Sequence, residues 1–169
     1  DHLARCLAAL QIRPPAWLRA PHRGGPRLLE ALKRFQVDGR LHPRLPDAIR
    51  LEGAPDLSRI AAETAFEVQD LASQCVGNAC APAPGQKWWD CCAGSGGKSL
   101  HLADLLGYDG AVLATDSRPA SLQGLQRRSA GRRRGVRIER RAWDATRDPA
   151  PDRLFDGVLI DAPCSGLGT

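Results

Sequence analysis

The chain has 169 residues, enough for one medium domain or for one small domain and part of a larger one. Hydrophobic residues make up 43% and charged residues 25% of it, the ordinary composition of a soluble globular protein. No apolar run approaches the roughly 18 residues that cross a membrane, and residues 1–5 lack the start of a secretory signal. We therefore expect a cytoplasmic protein with no membrane partner. Because the chain contains no Met, we also expect it to be a piece of a longer protein.

The net charge of +5 and the isoelectric point near 9.1 favour anionic partners. Eight arginines crowd one short stretch, where they predict either a solvated helix end and loop or a surface that contacts phosphates. The cluster does not distinguish RNA from DNA. Its members are Arg127, Arg128, Arg132, Arg133, Arg134, Arg137, Arg140 and Arg141.

Six cysteines are present, but their spacing argues against disulfides and against a metal site. Cys91 and Cys92 are adjacent, where a disulfide between neighbours is strained, and no CxxC pair suggests zinc. With no secretory signal, a reducing cytosol is the expected compartment. The other cysteines are Cys6, Cys75, Cys80 and Cys164.

The first 80 residues predict a small α/β domain, and the Pro- and Gly-containing segment 81–85 predicts its boundary. Apolar residues recur at helical spacing at the start of the chain, and Pro26 stands at a favourable first-turn position of a second helix. In chain order we predict a helix over 1–11, a strand over 16–19, a helix opened by Pro26, a strand over 48–51 and a helix over 64–74.

From residue 86 onward strands alternate with helices, which predicts a parallel sheet with right-handed crossovers. Ligands of such sheets bind at the carboxyl ends of the strands. Asp90, Asp116 and Asp161 all fall at or near those ends, so we expect them to converge. The predicted strands are 87–91, 111–115, 136–139 and 155–160, and the predicted helices are 98–106 and 119–129.

A glycine-rich turn over residues 92–99 follows a strand and opens a helix, so its backbone can approach a ligand closely. A phosphate-binding loop is one interpretation, because Gly97, Lys98 and Ser99 fit its end and Asp161 would bind magnesium, although Cys92 occupies its first glycine position. A methyl-donor or dinucleotide site is the other, because Asp116 stands where such sites place a ribose-binding carboxylate. A purely structural turn, with Asp116 as a helix cap, is a third interpretation.

Cys164 follows the fourth predicted strand and the segment Asp161, Ala162 and Pro163. Methylation of cytosine at C5 needs a covalent step, because C5 becomes nucleophilic only after a thiolate has added to C6. A nearby acid that hydrogen-bonds or protonates N3 assists that addition. Cys164 and Asp161 are the residue types that this chemistry uses; a buried, small apolar side chain is the alternative reading of Cys164.

Taken together, these segments resemble the Sun-type (Fmu-like) RNA cytosine-5 methyltransferase family. Residues 90–99 look like its cofactor motif, 161–169 like its fourth motif and 66–74 like the helix that enters the catalytic domain. Residues 14–19 and 45–49 are similar to its small preceding domain. The resemblance covers nearly the whole chain and favours a methyltransferase over a phosphate-loop protein.

The resemblance implies a Rossmann-like class I methyltransferase sheet over 81–169, of which this chain holds only the first half. A small α/β domain, RRM-like and in contact with RNA, would precede it over 1–80. The implied cofactor is S-adenosylmethionine. The implied reaction is methylation of cytosine C5 in ribosomal RNA, specifically 16S, through a covalent cysteine–C6 adduct.

The resemblance also assigns site residues. Asp116 would hold the ribose hydroxyls of the cofactor, Asp144 would lie by the adenine amino group, and Asp161 would lie between cofactor and target base. Cys164, Asp161 and Lys98 are the candidate catalytic residues, and no metal ligand is expected. The residues implied to wrap the methionine and ribose are Cys92, Ala93, Gly94, Ser95, Gly96, Gly97 and Lys98.

Two features depart from the family pattern or qualify it. Trp88 and Trp89 replace a smaller aliphatic pair, which is expected to change the packing of the first strand. The family uses two cysteines: the nucleophile would come after Thr169, and Cys164 would assist product release. Residues 1–169 alone are therefore not expected to turn over, and the fourth strand would leave an open sheet edge. A phosphate-loop NTPase and an RNA-binding module without catalysis are the alternative functions.

Overall fold

The computed structural model describes residues 1–11, 14–130 and 135–163, which form two four-stranded sheets with helices packed against them. Helix α1 (His2–Leu10) comes first. The first sheet contains β1 (Trp17–Arg19), β2 (Gly39–Leu41), β3 (Ala48–Leu51) and β4 (Glu67–Val68), with helices α2 (Gly25–Arg34) and α3 (Ser58–Glu63) between them. Among the described helices, none is long and apolar enough to span a membrane.

The first sheet is antiparallel with strand order β2-β3-β1-β4, and its chain order is β-α-β-β-α-β. Helices α2 and α3 cover one face, because side chains alternate along each strand and one set is apolar. Leu18 and Ile49 point into this core, while Trp17 and Arg50 point to the other face. The buried core residues are Leu18, Ala20, Leu28, Ala31, Leu32, Val37, Ile49, Leu51 and Ile60.

The predicted helix over 64–74 is wrong in its first half. Residues Glu67 and Val68 form strand β4, and helix α4 (Leu71–Cys80) begins only after Asp70, whose carboxylate accepts a hydrogen bond from the amide of Ala72 at 2.8 Å. The reason is tertiary: Glu67 and Gln69 are both buried and find partners on distant elements. Local spacing therefore suggested a helix where long-range pairing favours a strand.

The second sheet is parallel with strand order β7-β6-β5-β8, which confirms the predicted α/β architecture. The chain order of the strands reverses beside β5, so the carboxyl ends of β5 and β8 flank a crevice of the kind that binds ligands. The elements are β5 (Lys87–Asp90), α5 (Gly97–Leu106), β6 (Ala111–Asp116), α6 (Pro119–Ser129), β7 (Arg137–Ala142) and β8 (Gly157–Leu159).

The tryptophan pair explains two local features of the second sheet. Trp88 is buried beneath Gly157, where an added Cβ would lie 2.5 Å from the indole ring. Trp89 packs on Trp143 with ring centroids 4.9 Å apart and on Phe155 at 5.6 Å. Phe155 thus packs on Trp89 and is not part of strand β8. The strand is therefore shorter than the predicted strand over 155–160. As expected, β8 lies at the edge of the sheet among the described residues.

A buried ion pair joins the two sheets. The guanidinium of Arg19 on β1 bonds the carboxylate of Asp104 on α5, and both side chains are almost fully buried. Arg19 Nε also donates to Gln69 Oε1 at 2.6 Å. Gln74 on α4 donates to the carbonyl oxygens of Leu18 and Gln69. This polar network fixes the segment after β4 against α5, beside the carboxyl end of the parallel sheet.

Candidate functional site: a cleft at the carboxyl end of the parallel sheet

The cleft lies where the glycine-rich bend, the end of β6 and the end of β8 meet the segment after β4. Its volume of about 510 Å³ falls within the range of small-molecule sites. Most of the residues predicted from the sequence line it, namely Cys92, Ala93, Gly94, Ser95, Gly97, Lys98, Asp116 and Asp161. A second cavity of about 470 Å³, at the amino ends of the strands, is lined by none of them.

The bend takes its shape from two glycines with left-handed backbone angles. Gly94 has φ +54°, and a Cβ built on it would meet nothing within 4 Å, so the bend opens to space that a ligand can occupy. Gly96 has φ +87°, and its Cβ would lie 2.4 Å from Cδ1 of the buried Leu125. The bend is therefore both a structural element packed on α6 and a cradle open to the cleft.

The Gly96→Ala variant is expected to lower the free energy of unfolding by about 2–5 kcal/mol. A left-handed φ costs about 1–2 kcal/mol for a residue with a Cβ, and overpacking against Leu125 adds about 1–3 kcal/mol. Gly53→Ala is the matched control, since Gly53 has φ +72° but open space around its Cβ. Urea unfolding measures both; equal losses would show that the contact with Leu125 is not tight.

Asp116 ends β6 and fixes the bend with its carboxylate. Its Oδ2 accepts a hydrogen bond from the amide of Gly94 at 2.9 Å, and its Oδ1 accepts from the amide of Arg118 at 2.9 Å. Burial alone would raise the pKa of Asp116, but these two amides and the Arg118 guanidinium outweigh it and hold the pKa below its ordinary value. Asp116 is thus an anion that holds the amide of Arg118, just before α6, and lines the cleft.

Lys98 and Asp161 both line the cleft and bind each other. The Lys98 ammonium donates to Asp161 Oδ2 at 2.6 Å and to Ser73 Oγ at 3.1 Å. The lysine is mostly buried, whereas half of the Asp161 side chain is exposed. Lys98 therefore orients a carboxylate whose free edge faces the cleft.

Arg128 on α6 connects the bend to the first sheet, and the sequence did not indicate this role. Its Nη1 donates to the carbonyl oxygen of Ser95 at 2.8 Å and to Ser95 Oγ at 3.1 Å. Its Nε donates to Glu67 Oε2 at 3.0 Å, and its Nη2 bonds the same oxygen. Glu67 lies 61 residues away in the chain. Because no local pattern links the two, Arg128 was grouped with the phosphate-contacting arginines.

Replacing Arg128 by glutamine is expected to weaken cofactor binding by about 3- to 10-fold, because each hydrogen bond that holds the Ser95 carbonyl contributes about 0.5–1.5 kcal/mol. Arg127→Gln is the matched control, since Arg127 is the exposed neighbour on the same helix. Isothermal titration with S-adenosylmethionine measures both variants. Equal affinities for the two would contradict the positioning role of Arg128.

Other residues that line the cleft are not indicated as site residues by the sequence, namely Val68, Gln69, Ser73, Arg118, Ala162 and Pro163. Gln69 and Ser73 fell within the segment that the resemblance singled out, but nothing in that segment indicated which side chains face the cleft. Asp144 does not line the cleft; its Oδ1 accepts from the amide of Thr146 at 2.9 Å and from the Thr146 hydroxyl at 2.6 Å. Cys164 and Arg132, Arg133 and Arg134 lie outside the described residues.

The cysteines beside the bend are poor nucleophiles at neutral pH. Burial, followed by Asp90, Asp116 and Asp161, raises the pKa of Cys92 above its ordinary value. Burial and the neighbouring Cys92 raise the pKa of Cys91 to about 11. Both groups therefore remain thiols rather than thiolates, and Cys92 is a wall of the cleft.

Asp90 lies buried at the end of β5, where its Oδ2 accepts from Ser99 Oγ at 2.6 Å. Burial raises its pKa from 3.8 to about 6, against the opposing hydrogen bond from Ser99. Because the folded-state pKa is raised, the folded protein favours the protonated carboxyl, and stability falls as pH rises from 3.8 to about 6.

Asp90→Asn is accordingly expected to raise the free energy of unfolding above pH 6 by up to about 3 kcal/mol, the equivalent of the shift in pKa. Below pH 3.8 the variant and the parent are expected to be equally stable, because the carboxyl is then neutral in both states. Urea unfolding across this pH range measures the difference. A gain that does not change with pH would show that ionisation of Asp90 is not the cause.

Comparisons with known proteins identify the family. Residues 78–169 match the family model described as 16S rRNA methyltransferase RsmB/F. The chain is 32% identical over 167 residues to ribosomal RNA small subunit methyltransferase B of Cronobacter sakazakii, covering 92% of this chain and 37% of that protein. It is 33% identical to the protein of the same name from Salmonella paratyphi A, covering 97% of this chain and 39% of that protein. The chain thus spans less than half the length of these relatives.

Solved structures show the same fold. NSun6 from Pyrococcus horikoshii, solved with SFG, superposes with a TM-score of 0.84 at 16% identity, over 96% of this chain and 67% of that one. A methyltransferase homologue from the same organism gives a TM-score of 0.80 at 22% identity, over 94% of this chain and 53% of that one. The family uses S-adenosylmethionine as its cofactor. With its parallel sheet, its glycine-rich bend and the match over residues 78–169, the chain belongs to the 16S rRNA methyltransferase RsmB/F family.

Proposed function

We propose that the cleft holds S-adenosylmethionine and that the chain is part of an enzyme that methylates C5 of a cytosine in 16S ribosomal RNA. The convergence of the bend, Asp116 and the Lys98–Asp161 pair in one cleft supports this proposal most directly. The open space over Gly94 fits a ligand pressed against the backbone. A phosphate-loop NTPase is not favoured, since the family is a methyltransferase family.

The side chains suggest how the cofactor would be held. Asp116 is an anion near the bend, and its Oδ2, which accepts one hydrogen bond, still has a lone pair for a ribose hydroxyl. Residues 92–98 would lie along the methionine and ribose. Asp144 remains our proposal for the adenine end, although its carboxylate currently bonds Thr146. The bound cofactor supplies an electrophilic methyl group on a sulfonium.

The proposed reaction uses a cysteine thiolate that adds to C6 of the cytosine. The electron pair displaced to C5 would form the bond to the methyl group as the bond between that methyl and the sulfonium sulfur breaks, which would leave the cofactor as a neutral thioether. Removal of the C5 proton by a base would then re-form the C5–C6 double bond, expel the cysteine thiolate and restore the aromatic ring. Asp161, in its protonated form, would donate a hydrogen bond to N3 while Lys98 holds it in place. By the family resemblance, Cys164 would assist release of the product, and a different cysteine would attack C6.

We also propose the division of the chain into an RNA-contacting, RRM-like domain over residues 1–80 and a methyltransferase domain over 81–169, acting in the cytoplasm. The β-α-β-β-α-β order of the first sheet supports the first part. The exposed Arg127, Arg137, Arg140 and Arg141 support contact with phosphates near α6 and β7.

Isothermal titration tests the cofactor proposal on the 169-residue chain. Saturable binding of S-adenosylmethionine, without binding of ATP in the presence of magnesium, is the expected result. Binding of ATP with magnesium in place of S-adenosylmethionine would reject the proposal in favour of the phosphate-loop alternative.

A second experiment tests the base and the atom that are methylated. Deleting the gene that encodes the chain is expected to remove 5-methylcytidine from 16S ribosomal RNA, as measured by mass spectrometry of nucleosides from the digested RNA. Loss of a different methylated nucleoside would reassign the target. Unchanged methylation of the RNA would favour the RNA-binding module without catalysis.

A further inference from the structure

The face of the first sheet that turns away from α2 and α3 carries an unusual row of side chains. Arg40 on β2 pairs in register with Arg50 on β3, and Arg50 pairs with Trp17 on β1. These three residues therefore lie side by side across three strands. Both arginines are exposed and Trp17 is half-buried. No salt bridge to either arginine is present within the described residues.

An aromatic pair forms the centre of this face. The ring of His42, which follows β2, lies 5.8 Å from the Trp17 ring with an interplanar angle of 62°. His42 is also half-buried. Asp38 and Glu52 continue the same face beyond the arginine row, joined by a backbone hydrogen bond of 3.1 Å. The centre of the face is therefore cationic and aromatic, and its acidic residues stand at one end.

The other end of the face leads to the cofactor cleft. Arg19, two residues after Trp17, is buried against Asp104 of α5. The carbonyl oxygen of Trp17 accepts a hydrogen bond from the amide of Gln69 at 3.1 Å. Gln69 and Val68 line the cleft. Trp17 is thus joined by one backbone hydrogen bond to a residue that lines the cleft.

The chemistry of this face fits unpaired RNA better than other partners. Flat aromatic rings accept bases by stacking, and guanidinium groups bind phosphates and also stack. A single strand presents bases and phosphates together, whereas duplex RNA hides its bases. Resting on the function proposed above, we propose that Trp17, His42, Arg40 and Arg50 form a platform that binds an unpaired segment of the substrate RNA next to the nucleotide in the cleft.

Fluorescence polarisation with a short, labelled oligocytidylate tests the platform on the 169-residue chain. Trp17→Ala is expected to weaken binding by about 5-fold to more than 100-fold, because stacking contributes about 1–3 kcal/mol per base. Trp17→Phe is expected to restore most of the affinity, since it retains an aromatic face. Should Trp17→Ala fail to fold, the arginine variants below test the platform alone.

The double variant Arg40→Ala/Arg50→Ala is expected to weaken binding and to flatten its salt dependence by about 1.4 in log–log slope, the value for two phosphates of a single strand. Arg27→Ala/Lys33→Ala is the matched control. It removes the same charge from exposed positions on α2, which covers the opposite face of the sheet. We expect this control to lose only the affinity, and only the salt dependence, that removing two positive charges anywhere on the surface would cause. Otherwise its RNA affinity and its log–log slope should equal those of the parent.

Several outcomes would overturn the platform. The first is a folded Trp17→Ala variant that binds the oligocytidylate with parental affinity, and the second is an equal loss of affinity in the two double variants. The third is competition by duplex RNA or by polyglutamate that is as strong as competition by single-stranded RNA. Strong competition by polyglutamate would indicate an acidic protein partner. Titration with S-adenosylmethionine keeps the two proposals distinguishable. If the platform variants bind S-adenosylmethionine normally but do not lose RNA affinity, the platform proposal is rejected and the methyltransferase proposal stands. If the parent does not bind S-adenosylmethionine, the methyltransferase proposal is rejected.

Discussion

Replacing Asp116 by alanine is expected to lower the affinity for S-adenosylmethionine by about 100-fold or more. The carboxylate would accept hydrogen bonds from ribose hydroxyls, and bonds to a charged group contribute about 1.5–3 kcal/mol each. The variant also leaves the Gly94 amide without its acceptor and so loosens the bend. Isothermal titration gives the affinity directly.

One further variant separates the charge of Asp116 from its shape, and another is the control. Asp116→Asn keeps an oxygen acceptor for the Gly94 amide, so it is expected to bind the cofactor more tightly than alanine and less tightly than the parent. Asp152→Ala removes an exposed aspartate away from the cleft and is expected to bind normally. A parental affinity in folded Asp116→Ala would contradict the ribose role.

Removing Asp104 is expected to have the largest effect on stability. Asp104→Ala leaves the guanidinium of Arg19 buried without its carboxylate, and breaking such a pair costs about 3–5 kcal/mol. Burial lowers the pKa of Arg19, so this environment disfavours an uncompensated charge. Urea unfolding is the measurement.

The exposed ion pair between Arg34 and Glu63 is the matched control, with an N–O distance of 2.8 Å and both side chains largely in solvent. Arg34→Ala is expected to cost less than about 1 kcal/mol. Comparable losses for Asp104→Ala and Arg34→Ala would mean that the buried pair does not hold the two sheets together.

The second sheet could be predicted from the sequence because its signals are local. The central strands β5 and β6 are short apolar runs, and Pro119 marks the first turn of α6. The convergence of Asp116 and Asp161 followed from the rule that ligands bind at the carboxyl ends of parallel strands. The cleft confirms that these two side chains share one cavity.

The first sheet was predicted less completely, because its missing elements are short and depend on distant partners. Strand β4 has two residues, and its buried Glu67 is paired with Arg128, which lies 61 residues further along the chain. The sequence predicts a helix in place of this strand, because the apolar residues Phe66, Val68 and Leu71 have helical spacing. Arginines that are solvated and arginines that are paired look the same in a sequence, so Arg128 was assigned to the phosphate-contacting cluster.

A crystal structure of the chain with S-adenosylmethionine would test the central claim most directly. We expect the ribose hydroxyls to lie within hydrogen-bonding distance of Asp116 and the methionine part to run along residues 92–98. A ligand bound elsewhere, or bound in the cleft with its ribose away from Asp116, would contradict it.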